Sequence, residues 1–161
     1  MATNQVNESE QSVIKCERIN LLSSTLKQTE IESKKTTAKF SFSIDADVFV
    51  DYIVARLTIK LKNQITSQSH RTILQSLDFC LVGYFSTQPT TPHEVLENFT
   101  KLNTLSIIWP YAREYISDTL RRTGVPFPVL PIINPQVLAE EMERSKMMNI
   151  TNYDHPFSLH S

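Results

Sequence analysis

Apolar and polar residues alternate along several stretches of the first half of the chain, the pattern of half-buried β-strands. In the clearest stretch, Phe40, Phe42 and Ile44 alternate with polar residues. The sequence predicts strands over residues 12–26, 40–44, 52–61 and 73–85. A turn is expected at Asp45–Asp47, between the second strand and the third.

Beyond Ser86 the apolar residues recur every three or four positions, which predicts helices. The helical spacing begins after Pro92, and Pro110 is expected to start a new helix or to kink one long helix. Gly124 is expected to cap the end of this region, and Asn134 to cap a final helix. Strands in the first half and helices in the second predict an α+β fold.

The 161 residues fit a single folded domain. Residues 1–11 are polar and acidic and are expected to be a disordered N-terminal segment. The folded domain is expected over residues 12–148, followed by a flexible C-terminal tail over residues 149–161.

Charge and glycine content argue against two classes of function. The formal net charge is -1, so no strong positive field attracts nucleic acid or an anionic membrane. The chain has only two glycines, whereas a P-loop or a dinucleotide-binding motif needs several for close approach to phosphate. Binding of nucleotides through either motif is therefore not expected.

The cysteines indicate a reducing compartment. Cys16 and Cys80 lie far apart and form no Cys-x-x-Cys pair, so neither a disulfide framework nor a zinc motif is expected. The first eleven residues lack the apolar stretch of a signal peptide. A cytoplasmic location is expected.

No set of residues points to a catalytic or metal site. The four histidines are scattered along the chain without metal-ligand spacing. Asp45, Asp47 and Asp51 could hold calcium, but the glycine and the terminal glutamate of an EF-hand loop are missing, so a solvated turn is favoured. We therefore expect a protein that is not an enzyme and that uses no metal or cofactor.

The proline-rich apolar segment over residues 125–131 is the most unusual feature of the sequence. It cannot form a regular helix or a central strand, and it has little structure of its own in which to bury itself. This segment is expected to line a groove or to contact another subunit, in preference to packing on the core of its own chain.

The same half of the chain carries a motif that resembles the SecB family of protein-export chaperones. Residues 109–114 read Trp-Pro-Tyr-Ala-Arg-Glu, and Gly124, Phe127-Pro128, Leu130 and Asn134 follow at similar spacing. In SecB an aromatic-Pro-Tyr-Ala-Arg-Glu run opens the long helix, and a Phe-Pro loop leads to the final helix. The resemblance covers roughly residues 13–148.

The resemblance implies a four-stranded antiparallel sheet with C-terminal helices packed on one side, assembled as a dimer of dimers. It implies a chaperone that holds unfolded preproteins for export without ATP, in apolar grooves. By position, the expected groove-lining residues are Tyr84, Phe85, Trp109, Phe127 and Leu130. The expected tetramer interface is formed by Tyr115, Asp118 and Arg122.

The sequence departs from SecB where the translocation ATPase SecA docks. SecB carries carboxylates on the face of its sheet, whereas Ser23 and Lys27 appear at first-strand positions that should be acidic. Only Asp78 matches an acidic docking position, and the acidic C-terminal tail is missing. An alternative is therefore a dedicated chaperone or adaptor for one partner, such as an antitoxin, without coupling to SecA.

Overall fold

The computed structural model describes residues 14–29, 36–66, 71–124 and 134–158, which form one five-stranded sheet and three helices. The elements in chain order are β1 (Ile14–Gln28), β2 (Thr37–Val48), β3 (Tyr52–Thr66), β4 (Arg71–Thr87), α1 (His93–Leu102), α2 (Thr104–Arg122), α3 (Pro135–Arg144) and β5 (Met148–Asn152).

The strands lie in the order β1-β4-β3-β2-β5, and the first four form an antiparallel sheet. This arrangement confirms the predicted α+β fold with C-terminal helices. Strand β5 was not predicted: it adds to the edge of β2 in parallel orientation, which gives the sheet a fifth strand. β1 therefore forms one edge of the sheet and β5 the other.

One face of the sheet packs against the helices. Alternate residues of the central strands are buried there, among them Leu57 and Ile59 of β3 and Phe79 of β4, because side chains alternate between the faces of a strand. Helix α2 lies close to β4 at Gly83, where an added Cβ would stand 2.9 Å from Cδ1 of the buried Ile108. A larger residue than glycine would force the side chains of Ile108 and Phe85 to shift.

The helix boundaries differ in part from the predictions. Asn103 separates α1 from α2, and its N–H donates to the carbonyl of Phe99. Pro110 lies inside α2 and starts no helix, since α2 already begins at Thr104. The two predicted caps are confirmed: Gly124 has a φ of 70° after α2, and the Asn134 side chain accepts a hydrogen bond from the N–H of Gln136.

The predicted turn at Asp45–Asp47 is wrong, because both aspartates lie within β2. Their carboxylates are used across the sheet instead of in a turn. Asp47 accepts a hydrogen bond from Arg56 of β3 at 2.7 Å, and Asp45 accepts one from Asn149 of β5 at 3.0 Å. The turn falls after β2, where the N–H of Phe49 donates to the carbonyl of Tyr52.

The described part of the predicted tail is held against the sheet. β5 has only Met148 and Ile150 as apolar residues, too short a pattern to indicate a strand in the sequence. After it, the Phe157 ring stacks on Tyr52 at 4.8 Å, and the Phe157 N–H donates to the Asp51 carboxylate at 2.8 Å. The rings of Tyr153, His155 and Phe157, at alternate positions, anchor this segment against Phe49 and Tyr52.

Candidate functional site

A file of three aromatic rings runs from the core towards the surface on the helical side of the sheet. Phe40 and Phe42, two residues apart on β2, stack in parallel with their centroids 6.1 Å apart. Phe42 in turn meets Trp109 of α2 in an edge-to-face contact at 5.7 Å. We call these residues, Phe40, Phe42 and Trp109, the ring file.

Burial decreases along the ring file. In β2, the residues of the C-terminal half that point to the helices, Ile44, Ala46 and Val48, are buried. Phe40 and Phe42, in the N-terminal half, are only half-buried. Trp109 is only 6% exposed and forms the buried end of the ring file. The outer end of the file therefore retains apolar surface that the described part of the subunit does not cover.

Trp109, a predicted groove residue, is thus placed at the base of this surface. Two other predicted groove residues lie apart from it. Phe85 is fully buried and packs edge-to-face against Phe99 of α1, so it supports the core. Tyr84 points to the opposite face of the sheet, because neighbouring residues of a strand alternate in direction.

Tyr84 instead joins a cluster on the face of the sheet that points away from the helices. The Arg18 guanidinium lies over its ring at 4.4 Å, and Tyr52 lies 6.4 Å away. Tyr84 and Phe85 therefore cannot line one groove on the same side of the subunit. The remaining predicted groove residues, Phe127 and Leu130, lie outside the described residues.

The predicted tetramer residues lie together beside the edge strand β1. Tyr115, Asp118 and Arg122 of α2 line a hollow of about 600 Å³ beside the second half of β1. Tyr115 and Asp118 also line a second hollow of about 280 Å³, which lies beside Ile19 of β1. The Tyr115 hydroxyl is 2.6 Å from the Ser24 hydroxyl of β1, while Asp118 and Arg122 form a salt bridge one helical turn apart at 2.9 Å. We call this region the β1–α2 cleft.

Leucines next to this cleft are unusually exposed. Along β1, every described residue from 20 to 29 is exposed, and these include Leu21, Leu22 and Leu26. The outer edge of β1 has no neighbouring strand among the described residues. An open strand edge beside apolar side chains is the kind of surface that pairs with another polypeptide.

Asp78, the candidate for SecA docking, lies on the face of the sheet away from the helices. It stands opposite Thr25 of β1 and Lys60 of β3. Its Oδ1 atom is buried and finds no hydrogen-bond partner among the described residues. Its described neighbours on the sheet are thus a threonine and a lysine, so among these residues Asp78 belongs to no acidic patch.

The described ranges hold no group of three or more His, Cys, Asp or Glu side chains arranged for a metal ion. Both cysteines are free. Burial, and then the neighbouring Glu17 carboxylate, raises the pKa of the Cys16 thiol, which disfavours the reactive thiolate. None of the helices α1, α2 and α3 is both long and apolar enough to span a bilayer.

Sequence reasoning missed Phe40 and Phe42 as functional candidates and assigned them only to a strand. The alternation of apolar and polar residues correctly predicted that both rings share one face of β2. It could not show that the helices cover only the C-terminal half of this strand. It also missed Leu21 and Leu22, whose exposure depends on β1 being an edge strand.

The fold has a counterpart among solved structures. It resembles a SecB-like chaperone of Mycobacterium tuberculosis, determined in complex with a ChAD peptide from the HigA1 antitoxin. The TM-score is 0.65 with 20% sequence identity, and the match covers 75% of this chain and 91% of that chain. No family model and no curated protein matches the sequence. The chain therefore has a SecB-like fold.

Proposed function

We propose that this SecB-like fold serves a holding chaperone that binds unfolded polypeptides without ATP and keeps them unfolded for export. The observation that carries this proposal is the outer end of the ring file, where Phe40 and Phe42 are only half-buried beside Trp109. An unfolded chain exposes aliphatic and aromatic side chains that such a surface can bury.

The energetics suit transient holding. Each apolar side chain that a client buries against the rings contributes about 1.5–3 kcal/mol, so two or three of them give affinity without defining a sequence. Because only the unfolded client binds, its folding and aggregation are slowed by mass action. No step in this mechanism needs a nucleotide, a metal or a catalytic residue.

The similar structure supports a polypeptide as the ligand, since that SecB-like chaperone was determined with a peptide bound. In this chain we propose that the segment bearing Phe127 and Leu130, which connects α2 to α3, forms the second wall of the groove. Phe85 and Tyr84 are not part of the proposed groove, because one is buried and the other lies on the opposite face.

We propose that the β1–α2 cleft is where subunits associate into a dimer of dimers. An unpaired strand can pair with its counterpart in a second copy, which would bury Leu22 and Leu26 together with Tyr115, Asp118 and Arg122 of the predicted interface. This assignment leaves the ring file, on β2, available to clients. A cytoplasmic location is proposed with it.

A second candidate is a dedicated chaperone for one partner, such as an antitoxin, without coupling to SecA. The placement of Asp78 favours it, because a lone carboxylate opposite Lys60 offers no acidic surface for docking. A peptide array separates the two candidates: binding to many apolar and aromatic segments supports general holding, and binding to one segment supports a dedicated partner.

The test of the proposed function is suppression of aggregation when a chemically denatured substrate is diluted into buffer without ATP. We expect the wild-type protein to suppress aggregation at near-stoichiometric ratio and Phe40→Ser to lose most of this activity. Val137→Ser, which removes exposed apolar surface on α3 outside the proposed subunit interface, is the matched control for the client site and should suppress aggregation as wild type does. Failure of the wild-type protein with several unrelated substrates would overturn the proposal.

A further inference from the structure

Three of the lysines on the face of the sheet that points away from the helices lie in a single line. Lys39 of β2 stands opposite Lys62 of β3, Lys62 stands opposite Ser76 of β4, and Ser76 stands opposite Lys27 of β1. The line crosses four neighbouring strands, which are spaced about 4.8 Å apart, so it spans roughly 14 Å. We call Lys27, Lys39 and Lys62 the lysine row.

These positive charges are not neutralised within the described part of the chain. All three side chains are exposed, and none of them forms an ion pair with a described residue. On the same face, by contrast, Arg56 is paired with Asp47 at 2.7 Å. Among the residues that the structure describes, the row is therefore a local concentration of unpaired positive charge on a protein whose net charge is -1.

The arrangement also carries a cost for the fold. Lys39 and Lys62 are directly opposite each other, and like charges in such a cross-strand pair are destabilising. Serine would serve equally well at an exposed strand position, as Ser41 does on the same face. A partner that supplies negative charge would remove the repulsion.

The dimensions of the row indicate what such a partner is. Along the row, β1, β4, β3 and β2 are each paired with the next strand, so this face of the sheet offers side chains and no backbone groups. A span of roughly 14 Å matches four or five residues of an extended polypeptide at about 3.3 Å per residue. Towards the β2–β3 turn, Asp78 and Asp45 stand opposite Lys60 and Arg56, so acidic and basic residues alternate there and do not extend the positive row for a longer anion such as a nucleic acid strand.

We propose that the lysine row is a docking surface for a short acidic segment of a partner protein. The surface lies on the opposite side of the sheet from the ring file, so a client and an acidic partner can be bound at the same time. This docking is separate from the holding function and does not depend on it.

Fluorescence anisotropy with a fluorescein-labelled deca-glutamate peptide tests the proposal on the full chain. We expect binding at low ionic strength that weakens as salt is added, and a loss of about tenfold in affinity in the variant Lys27→Gln, Lys39→Gln, Lys62→Gln. The control variant Arg113→Gln, Arg121→Gln, Lys146→Gln has the same net charge as the row variant but changes exposed residues outside the row. Its affinity for the peptide should fall by less than about twofold.

Three results would overturn the proposal. They are no binding of deca-glutamate by the wild-type protein, equal loss in the row variant and the control variant, or tighter binding of a deca-uridylate RNA through the same lysines. If the triple variant does not fold, Lys62→Gln, at the centre of the row, takes its place. That single variant should lose affinity while its Tm equals or exceeds that of wild type, because a like-charge pair has been removed.

Discussion

Phe42 meets Trp109 edge to face with ring centroids 5.7 Å apart, so β2 and α2 share an aromatic contact at the border of the core. Phe40 stacks on the other side of Phe42 and is the outermost ring of the three. Trp109 is the only tryptophan of the chain. Its fluorescence therefore reports on whatever binds at the outer end of the ring file.

Binding of an unfolded segment should change the emission of Trp109. We expect a shift in wavelength or a change in intensity when a labelled apolar peptide is added, since the peptide packs against rings in contact with the indole. Phe40→Ser should abolish the change while the emission maximum of the free protein stays the same. Peptide binding seen by anisotropy with no change in Trp109 emission would place the client elsewhere.

The C-terminal segment should contribute to stability. Phe157 stacks on Tyr52 at 4.8 Å and lies 5.0 Å from Phe49, so Phe157→Ala should lower the free energy of unfolding by about 1–2 kcal/mol. Urea denaturation followed by circular dichroism measures this difference. Asp154→Ala, an exposed position in the same segment, is the control, and an equal effect of both variants would contradict a role for the stacked ring.

Assembly should depend on the exposed leucines of β1. Leu22→Lys places a charge beside the open strand edge, and we expect it to shift the oligomer towards smaller species in sedimentation velocity. Val137→Lys on α3 is the matched control, because Leu22 and Val137 are each 59% exposed. The β1–α2 interface would be wrong if the Leu22 variant sedimented as wild type does, or if the wild-type protein were a stable monomer.

Cys16 should react slowly with alkylating reagents. Its pKa is raised by burial, so the thiolate fraction at pH 8 is below that of a free cysteine, and the reaction should accelerate only at higher pH. Mass spectrometry of the Cys80→Ser variant after timed exposure to iodoacetamide measures the rate. The rate of the unfolded variant in urea is the reference, and equal rates in both states would contradict the assignment.

The sequence predicted the elements that regular spacing of apolar residues and local capping residues determine. Four strands, the helical second half and the caps at Gly124 and Asn134 are all set by local patterns, and the structure confirms them. Strand β5 could not be predicted in this way, since its five residues are mostly polar and are held by pairing with β2.

The candidate site depended more on packing between distant elements. Trp109 was identified from its motif, but burial of Phe85 and the outward direction of Tyr84 follow from which face of β4 the helices cover. Phe40 was missed as a candidate binding residue because its exposure depends on how far the helices extend along β2. Local sequence contains no information on that length.

Site-specific photo-crosslinking tests the account most directly. A benzoylphenylalanine is placed at Phe40 in one variant and at Tyr84, on the opposite face of the sheet, in another, and each is irradiated with a denatured substrate. We expect strong crosslinks from position 40 and few from position 84. Crosslinks that form mainly from position 84, or equally from both, would contradict the proposal that the ring file holds the client.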